Sequence, residues 1–295
     1  MNQLELLTSI LAREGVEALG WEHGRPGCAA VRALLRPAAR RVAREFVDTD
    51  GAFASRTLPD AARWTLDHFS ASVEVAGLDR VPRSGPILLV ANHPGLTDAV
   101  ALIAALDRSD VRIVAADYPF LHAMRGLGSR LIFLGSGASQ LGWIRAVSRD
   151  LRQGSVVLLF PAGHLEPDPA VLGPRSALLP WSASVDVIRR HTPEAQVVPA
   201  AVAGVLSERA FAHPLTRVRR SPLDRQRVAT LIQMTDLHCR RVTARIAFGE
   251  PIAPAADANL ISQLAWRMNQ LISAPSADWA PLSRRTPDAL TTTAA

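Results

Sequence analysis

The stretch Pro86-Ile87-Leu88-Leu89-Val90-Ala91-Asn92-His93-Pro94-Gly95-Leu96-Thr97-Asp98 decides how the rest of the chain is read. Its apolar half, opened by Gly85 and running from Pro86 to Ala91, has the composition of a strand buried on both faces. The run stops at Asn92-His93-Pro94-Gly95. Pro94 turns His93 away from the α region, Gly95 permits a sharp turn, and an apolar-periodic helix is expected over 96–106. The imidazole is then carried at the carboxyl end of a strand, where open α/β sheets bind their ligands. Asp98 follows in the first helical turn, so its carboxylate can point back at the ring. A histidine oriented by a carboxylate is what a general base requires. An acid in a first turn is also favoured by the free N–H groups and the helix dipole, so the pair gains its force from the strand–turn–helix setting.

On both sides of this stretch the alternation continues. Strands are expected over 73–77, 111–115, 131–134, 155–160, 197–205 and 242–248, and helices over 117–125, 141–153, 181–191, 228–240 and 260–272. Pro199 inside its strand suggests an edge position or a bulge. Residues 171–180 and 211–225 read as loops, the second made basic by Arg217, Arg219 and Arg220. This spacing predicts an α/β fold with a largely parallel, mixed sheet covered by helices. A helical N-terminal subdomain precedes it over 1–72, the α/β domain occupies 73–273, and a Pro/Thr/Ala-rich tail over 274–295 is expected to be disordered.

Within the N-terminal part, Leu4, Leu7, Leu11 and Val16 to Leu19 show a helical period that Gly20 should end. A second helix over 29–46, interrupted at Pro37, sets Val31, Leu34, Leu35, Val42 and Phe46 against Arg32, Arg36, Arg40, Arg41 and Arg44. Such a helix can lie in a membrane interface or turn a solvated arginine face outward over a core. A third begins near Pro59-Asp60 and carries Trp64, Leu66 and Phe69.

With 295 residues the chain can bury one large core. It has no apolar run long enough to span a bilayer, and Glu5 stands where a secretory signal would be basic, so a cytoplasmic protein is expected. Cys28 and Cys239 are too few for a disulfide framework and lack metal-ligand spacing. The net charge is +6, and every Lys/Arg position is arginine, which suits an anionic membrane surface or a phosphorylated carrier. Nucleic acid is a poor fit, because only 5% of residues are aromatic and no basic cluster is interleaved with rings.

A second functional loop is Pro161-Ala162-Gly163-His164-Leu165-Glu166-Pro167-Asp168-Pro169, leaving its strand at the same sheet edge as His93. Gly163 would let its backbone N–H approach a developing oxyanion. His164, Glu166 and Asp168 alternate and, with His93, invite a metal reading. No further His or Cys shows ligand spacing, so no metal is expected.

Four blocks in order resemble the glycerolipid acyltransferases, the family that includes the lysophosphatidic acid acyltransferases. They are Asn92-His93-x4-Asp98, Leu131-Ile132-Phe133-Leu134-Gly135, Val156 to Gly163 ending in Phe160-Pro161-Ala162-Gly163, and Val197-Val198-Pro199-Ala200-Ala201-Val202. Gly249-Glu250-Pro251-Ile252 is similar to a further family ending. Two blocks depart from the family pattern. The arginine that usually closes the second block is replaced by Gly135-Ser136-Gly137, and the usual Phe-Pro-Glu-Gly-Thr-Arg by Phe160-Pro161-Ala162-Gly163-His164-Leu165. These weigh against glycerol-phosphate recognition and resemble the branch that acylates other lyso-lipids, including lyso-ornithine lipid.

The resemblance implies transfer of a fatty acyl group from acyl-CoA or acyl-carrier protein to a hydroxyl of a lyso-lipid, with no cofactor. It also implies peripheral association with the inner face of an anionic membrane. His93 would be the general base and Asp98 its partner. Asn92, Pro94, Gly95, Phe160, Pro161, Ala162, Gly163 and His164 would line the substrate site. Two other readings of the same residues are an ester or thioester hydrolase using the His–Asp pair, and a lipid- or carrier-binding module without catalysis.

Overall fold

A computed structural model describes residues 2–21, 25–70, 72–135, 142–176, 178–252, 260–273 and 279–282. The chain opens with α1 (Gln3–Ala18), α2 (Cys28–Ser55) and α3 (Leu58–Phe69). Asn2 and Thr57 cap α1 and α3 through the N–H groups of Glu5 and Asp60. Helix α2 corrects the sequence reading twice, running unbroken through Pro37 and ending at Ser55 rather than near Phe46. Pro37 and Ala33, whose carbonyl loses its partner, are both exposed, so water can satisfy that carbonyl. Beyond Phe46 the buried Thr49 and Ala52 keep one face of the helix in contact with the protein. Leu7, Leu11, Val42 and Phe46 pack with Ala123 and Met124 of the following domain, and Glu5 joins α1 to Arg36 and Arg40 of α2.

The rest of the chain gives β1 (Ser72–Ala76), β2 (Ile87–Ala91), α4 (Asp98–Leu106), β3 (Val111–Ala115), α5 (Pro119–Ala123), α6 (Arg125–Gly128) and β4 (Leu131–Phe133). There follow α7 (Gly142–Arg152), β5 (Val156–Leu159), α8 (Pro169–Leu172), α9 (Ser184–His191), β6 (Gln196–Ala203) and α10 (Glu208–Ala212). The last elements are α11 (Pro222–Thr235), β7 (Thr243–Phe248), α12 (Leu260–Ser273) and β8 (Ala280–Pro281). Among the described residues the strands form one sheet in the order β4-β3-β5-β2-β6-β7-β1-β8. The pairs β4/β3, β3/β5, β5/β2, β2/β6 and β7/β1 are parallel, while β6/β7 and β1/β8 are antiparallel. The expected mixed, largely parallel sheet is therefore present. One face packs Ile87 and Leu89 against Leu102 and Ile103 of α4 and Leu58 and Leu66 of α3. The other packs Leu88 and Val90 against Ile144, Leu151, Ile188 and Leu264 from α7, α9 and α12.

Several local expectations are corrected. Pro199 is interior, in β6 between β2 and β7. The Gln196 N–H donates to Pro86 of the β2 side, so by strand alternation the nitrogen of Pro199 faces the other way. There the β7 ladder has ended at Phe248, and Pro199 accepts from the Gly249 N–H at 2.9 Å, so no ladder donor is lost. Residues 211–225 are not a loop. They contain the end of α10, a 3-10 turn over Pro214–Val218 and the start of α11, with Arg219 bonded to Asp224 and Arg225 over the Phe211 ring. The segment read as a loop over 171–180 holds the end of α8 and a 3-10 turn. Of the tail expected to be disordered, residues 279–282 are described, and Ala280–Pro281 pair with β1; the remainder lies outside the described residues, as do Ser136 and Gly137 of the second block.

Candidate active site

The parallel strands bring the turns after β2, β3, β4, β5 and β6 to one edge of the sheet. From β2 the chain crosses by α4 to β3 on one side, and from β5 it crosses by α9 to β6 on the other. Neighbouring strands β2 and β5 thus leave a crevice where their connections diverge, the switch point at which open sheets bind ligands. His93 follows β2 and Phe160 follows β5, and their rings stack across this crevice with centroids 4.5 Å apart.

His93 Nδ1 lies 2.8 Å from Asp98 Oδ2, so with Nδ1–H donating, Nε2 remains for a substrate. The His93 side chain is 30% exposed and that of Asp98 is 0% exposed, which opens the ring to the crevice while its partner is sealed beneath. Asp98 is held from two further directions, since Oδ2 accepts the Gly95 N–H at 2.9 Å and Oδ1 accepts the Ala99 N–H at 2.6 Å. Burial alone would pull the His93 pKa down, but the charge and hydrogen bond of Asp98, with Glu166 adding its charge, outweigh it and leave the pKa above the ordinary histidine value.

Behind His93 lies a buried polar frame. Glu166 Oε2 accepts the His93 backbone N–H at 3.0 Å, and the Glu166 N–H returns a bond to the His93 carbonyl at 2.8 Å. Its Oε1 accepts the Leu179 N–H and the Trp181 indole N–H, at 3.0 and 2.9 Å. Gln226 of α11 donates to the carbonyls of Pro94 and Glu166 and accepts the Asp168 N–H, tying both loops to one side chain. Asp168 accepts from Gly204, Ala170 and Leu206. Burial pushes the carboxyls of both Glu166 and Asp168 up, against the backbone N–H groups that favour their ionised forms.

The predicted site residues divide into two groups. His93, Asp98 and Phe160 meet as expected, and Ala162, Gly163 and His164 lie at or near the open surface. Asn92, Pro94, Gly95 and Pro161 are buried, Pro94 and Gly95 against a cavity with room for roughly one water, which corrects their assignment as substrate contacts. The Asn92 amide donates to Val202 O and accepts Val202 N–H, pinning β2 to β6. The carbonyls of Pro94 and Pro161 accept from Gln226 and Ser182. A Cβ on Gly95 would meet Val205 Cγ2 at 3.0 Å, so close packing explains that glycine. Gly163 also departs from its expected role. Its φ of +72° closes a turn in which its N–H donates to Phe160 O, so that N–H is not free for an oxyanion. The metal reading of the loop does not hold either, because Glu166 and Asp168 spend their carboxylates on N–H groups inside the protein while His164 is exposed.

Beneath the motif, Phe69, Leu96, Thr97, Val205, Met234 and Arg240 line a cavity of about 20 Å³, room for roughly one water. An acyl chain does not fit there. Among the described residues, no helix is long and apolar enough to cross a membrane.

Comparison with known proteins bears on the fold. The Acyltransferase family model matches residues 72–203, from the first strand through β6. Uncharacterized proteins of Mycobacterium tuberculosis and Mycobacterium bovis are 32% identical over 103 residues, a segment covering 31% of this chain and 26% of theirs. The crystal structure of the 1-acyl-sn-glycerophosphate (LPA) acyltransferase PlsC from Thermotoga maritima superposes with a TM-score of 0.50 at 17% identity, covering 95% of this chain and 100% of that one. The chain has the fold of that structure.

Proposed function

We propose that the protein transfers a fatty acyl group from a thioester, acyl-CoA or acyl-carrier protein, to a hydroxyl of a lyso-lipid. The observation that carries this reading is the half-open His93 ring fixed by a sealed Asp98 at the switch point, within a segment that matches the Acyltransferase family model.

His93 Nε2 accepts the hydroxyl proton as the oxygen attacks the thioester carbonyl. Asp98 keeps the Nδ1–H tautomer and stabilises the imidazolium that forms. When the tetrahedral intermediate collapses, the C–O bond is kept, the C–S bond breaks, and the thiolate takes the proton from Nε2. His93 is thereby returned to its starting form without an acyl-enzyme. With the Gly163 N–H engaged, the loop N–H groups of Ala162 and His164, which no described residue accepts, are the donors we assign to the oxyanion. The cavity beneath the motif is too small for the acyl chain, and we place that chain along the open mouth. The exposed arginines Arg32, Arg36, Arg41 and Arg44 and the 79% exposed Leu34 on α2 suit peripheral contact with an anionic bilayer.

The test is product analysis with purified wild type and His93→Ala, using acyl-CoA and acyl-carrier protein with lyso-lipid acceptors. Acylated acceptor from wild type and a loss of about 10³-fold or more in His93→Ala are expected. Free fatty acid without acylated acceptor would identify a hydrolase instead. Transfer by His93→Ala near the wild-type rate would remove the imidazole from the reaction.

A further inference from the structure

A second histidine–carboxylate pair stands at the same sheet edge. His122 Nε2 is bonded to Asp117 Oδ1, in the turn and short helix that follow β3, and the His122 ring stacks on Phe133 at the end of β4 with centroids 4.1 Å apart. Its construction parallels the first pair. Four residues separate histidine and acid in each, and each imidazole lies on the phenyl ring at the end of a neighbouring strand.

Sheet register relates the two. Phe133 pairs with Ala115, and the pairing of Ile113 with Leu158 sets Ala115 level with Phe160. Paired residues in a parallel sheet project to the same face, so Phe133, Ala115 and Phe160 form a row with a methyl group between two phenyl rings. The phenyl bases are two strand spacings apart, roughly 10 Å. An imidazole stacks on each ring, and the small Ala115 lies between them in the row.

The second pair has no evident structural duty. Its side chains are 53% and 62% exposed, and exposed ion pairs contribute only about 0–1 kcal/mol. With Nε2 committed to Asp117, Nδ1 is the atom left to a ligand. When both nitrogens carry protons, the ring donates one N–H to Asp117 and the other outward.

Resting on the acyl-transfer reading, we propose that His122, steadied by Asp117 and Phe133, is a specificity-determining residue that binds an anionic group, phosphate or carboxylate, carried by the acceptor close to its reacting hydroxyl. The hydroxyl then sits at His93 and the anion at His122 Nδ1, with the acceptor laid across Ala115. The reaction's selectivity among lyso-lipids is set on this lip.

Two measurements test it. In the first, inorganic phosphate is titrated into the full-length protein while the His122 ring signals, assigned by their loss in His122→Asn, are followed by NMR. They should move saturably at millimolar phosphate. In the second, kcat/KM is compared for two acceptor pairs differing only in the anion: lysophosphatidate against monoacylglycerol, and lyso-ornithine lipid against its carboxyl methyl ester. His122→Asn should lower the preference for the anionic member of a used pair by about tenfold or more, through KM, as loss of a charge-assisted hydrogen bond does. Phe133→Leu, which keeps the imidazole but removes its stacking ring, should lower it by less. Ring signals that stay still under phosphate overturn the proposal. Signals that move without any change in acceptor preference assign the site to free phosphate and overturn its role in acceptor selection. A wild type that acylates none of these acceptors is a failure of the transfer reading, and the phosphate titration still decides whether the anion site exists.

Discussion

His93–Asp98 and His122–Asp117 are the same two side chains at the same spacing, yet the protein treats them in opposite ways. Asp98 is sealed and receives three hydrogen bonds, from the His93 ring, Gly95 and Ala99, while Asp117 is 62% exposed. The His93 backbone is clamped by Glu166 on both its N–H and its carbonyl. His122 has a ring beneath it and a carboxylate beside it, but water around both. A base that must hold one tautomer and one aim through a reaction needs the first environment. A group that must meet ligands of different size is better served by the second.

The largest effect that tests this contrast is expected at the sealed carboxylate. Asp98→Asn should lower kcat by about 10²–10⁴-fold with the acceptor KM nearly unchanged, because an amide at this position no longer enforces the Nδ1–H tautomer. Circular dichroism alongside the kinetics separates this from unfolding. A kcat within a few-fold of wild type would mean that burial of Asp98 serves the turn and not the ring, and the contrast between the pairs would collapse.

An intermediate effect belongs to Glu166. A general base must be neutral to act, and the His93 pKa lies above the ordinary histidine value, so the acid limb of the kcat/KM–pH profile should fall above the pH at which a free histidine titrates. Glu166 contributes negative charge to that shift. In Glu166→Gln the imidazolium loses this support, the His93 pKa falls, and the acid limb should move to lower pH. The amide also sets an NH₂ against one of the three N–H groups that Glu166 now accepts, so kcat/KM should drop as well, by about tenfold. A limb that stays in place would show that Glu166 acts on the loop alone.

The two pairs also mark what the sequence can reveal. The strand of Ile87–Ala91, the turn at Pro94-Gly95 and Asp98 in the next helix are all local, and local pattern sufficed for them. Phe160 was legible through the second loop because it too ends an apolar strand. The Glu166–Gln226–Asp168 frame was not, since Gln226 meets Pro94 across 132 residues and no local periodicity encodes that contact. The one available signal was Asp168 before Pro169, the pattern of a helix N-cap, and Asp168 does cap α8. Asn92 and Gly95 were misread because polarity and flexibility beside a catalytic group suggest ligand contact, whereas here Asn92 pins β2 to β6 and Gly95 makes room for Val205. Pro199 was misplaced because the rule against prolines in central strands assumes a ladder on both sides, and the β7 ladder stops just short of it.

The smallest expected effect lies at Asp117. Replacing it with Asn alters the hydrogen bond to His122 between two largely exposed side chains. Solvent already screens that pair, so the stability lost should be within about 1 kcal/mol, read as a small change in the denaturant midpoint at unchanged slope. At Asp98, by contrast, the same substitution places an amide against the Gly95 and Ala99 N–H groups at a position with no solvent exposure, where a mispaired donor costs about 1–3 kcal/mol. If the two Asp→Asn variants lost equal stability, Asp117 would have to be part of a framework as tight as the one around Asp98. The division into one fixed pair and one adaptable pair would then have to be drawn elsewhere on the sheet edge.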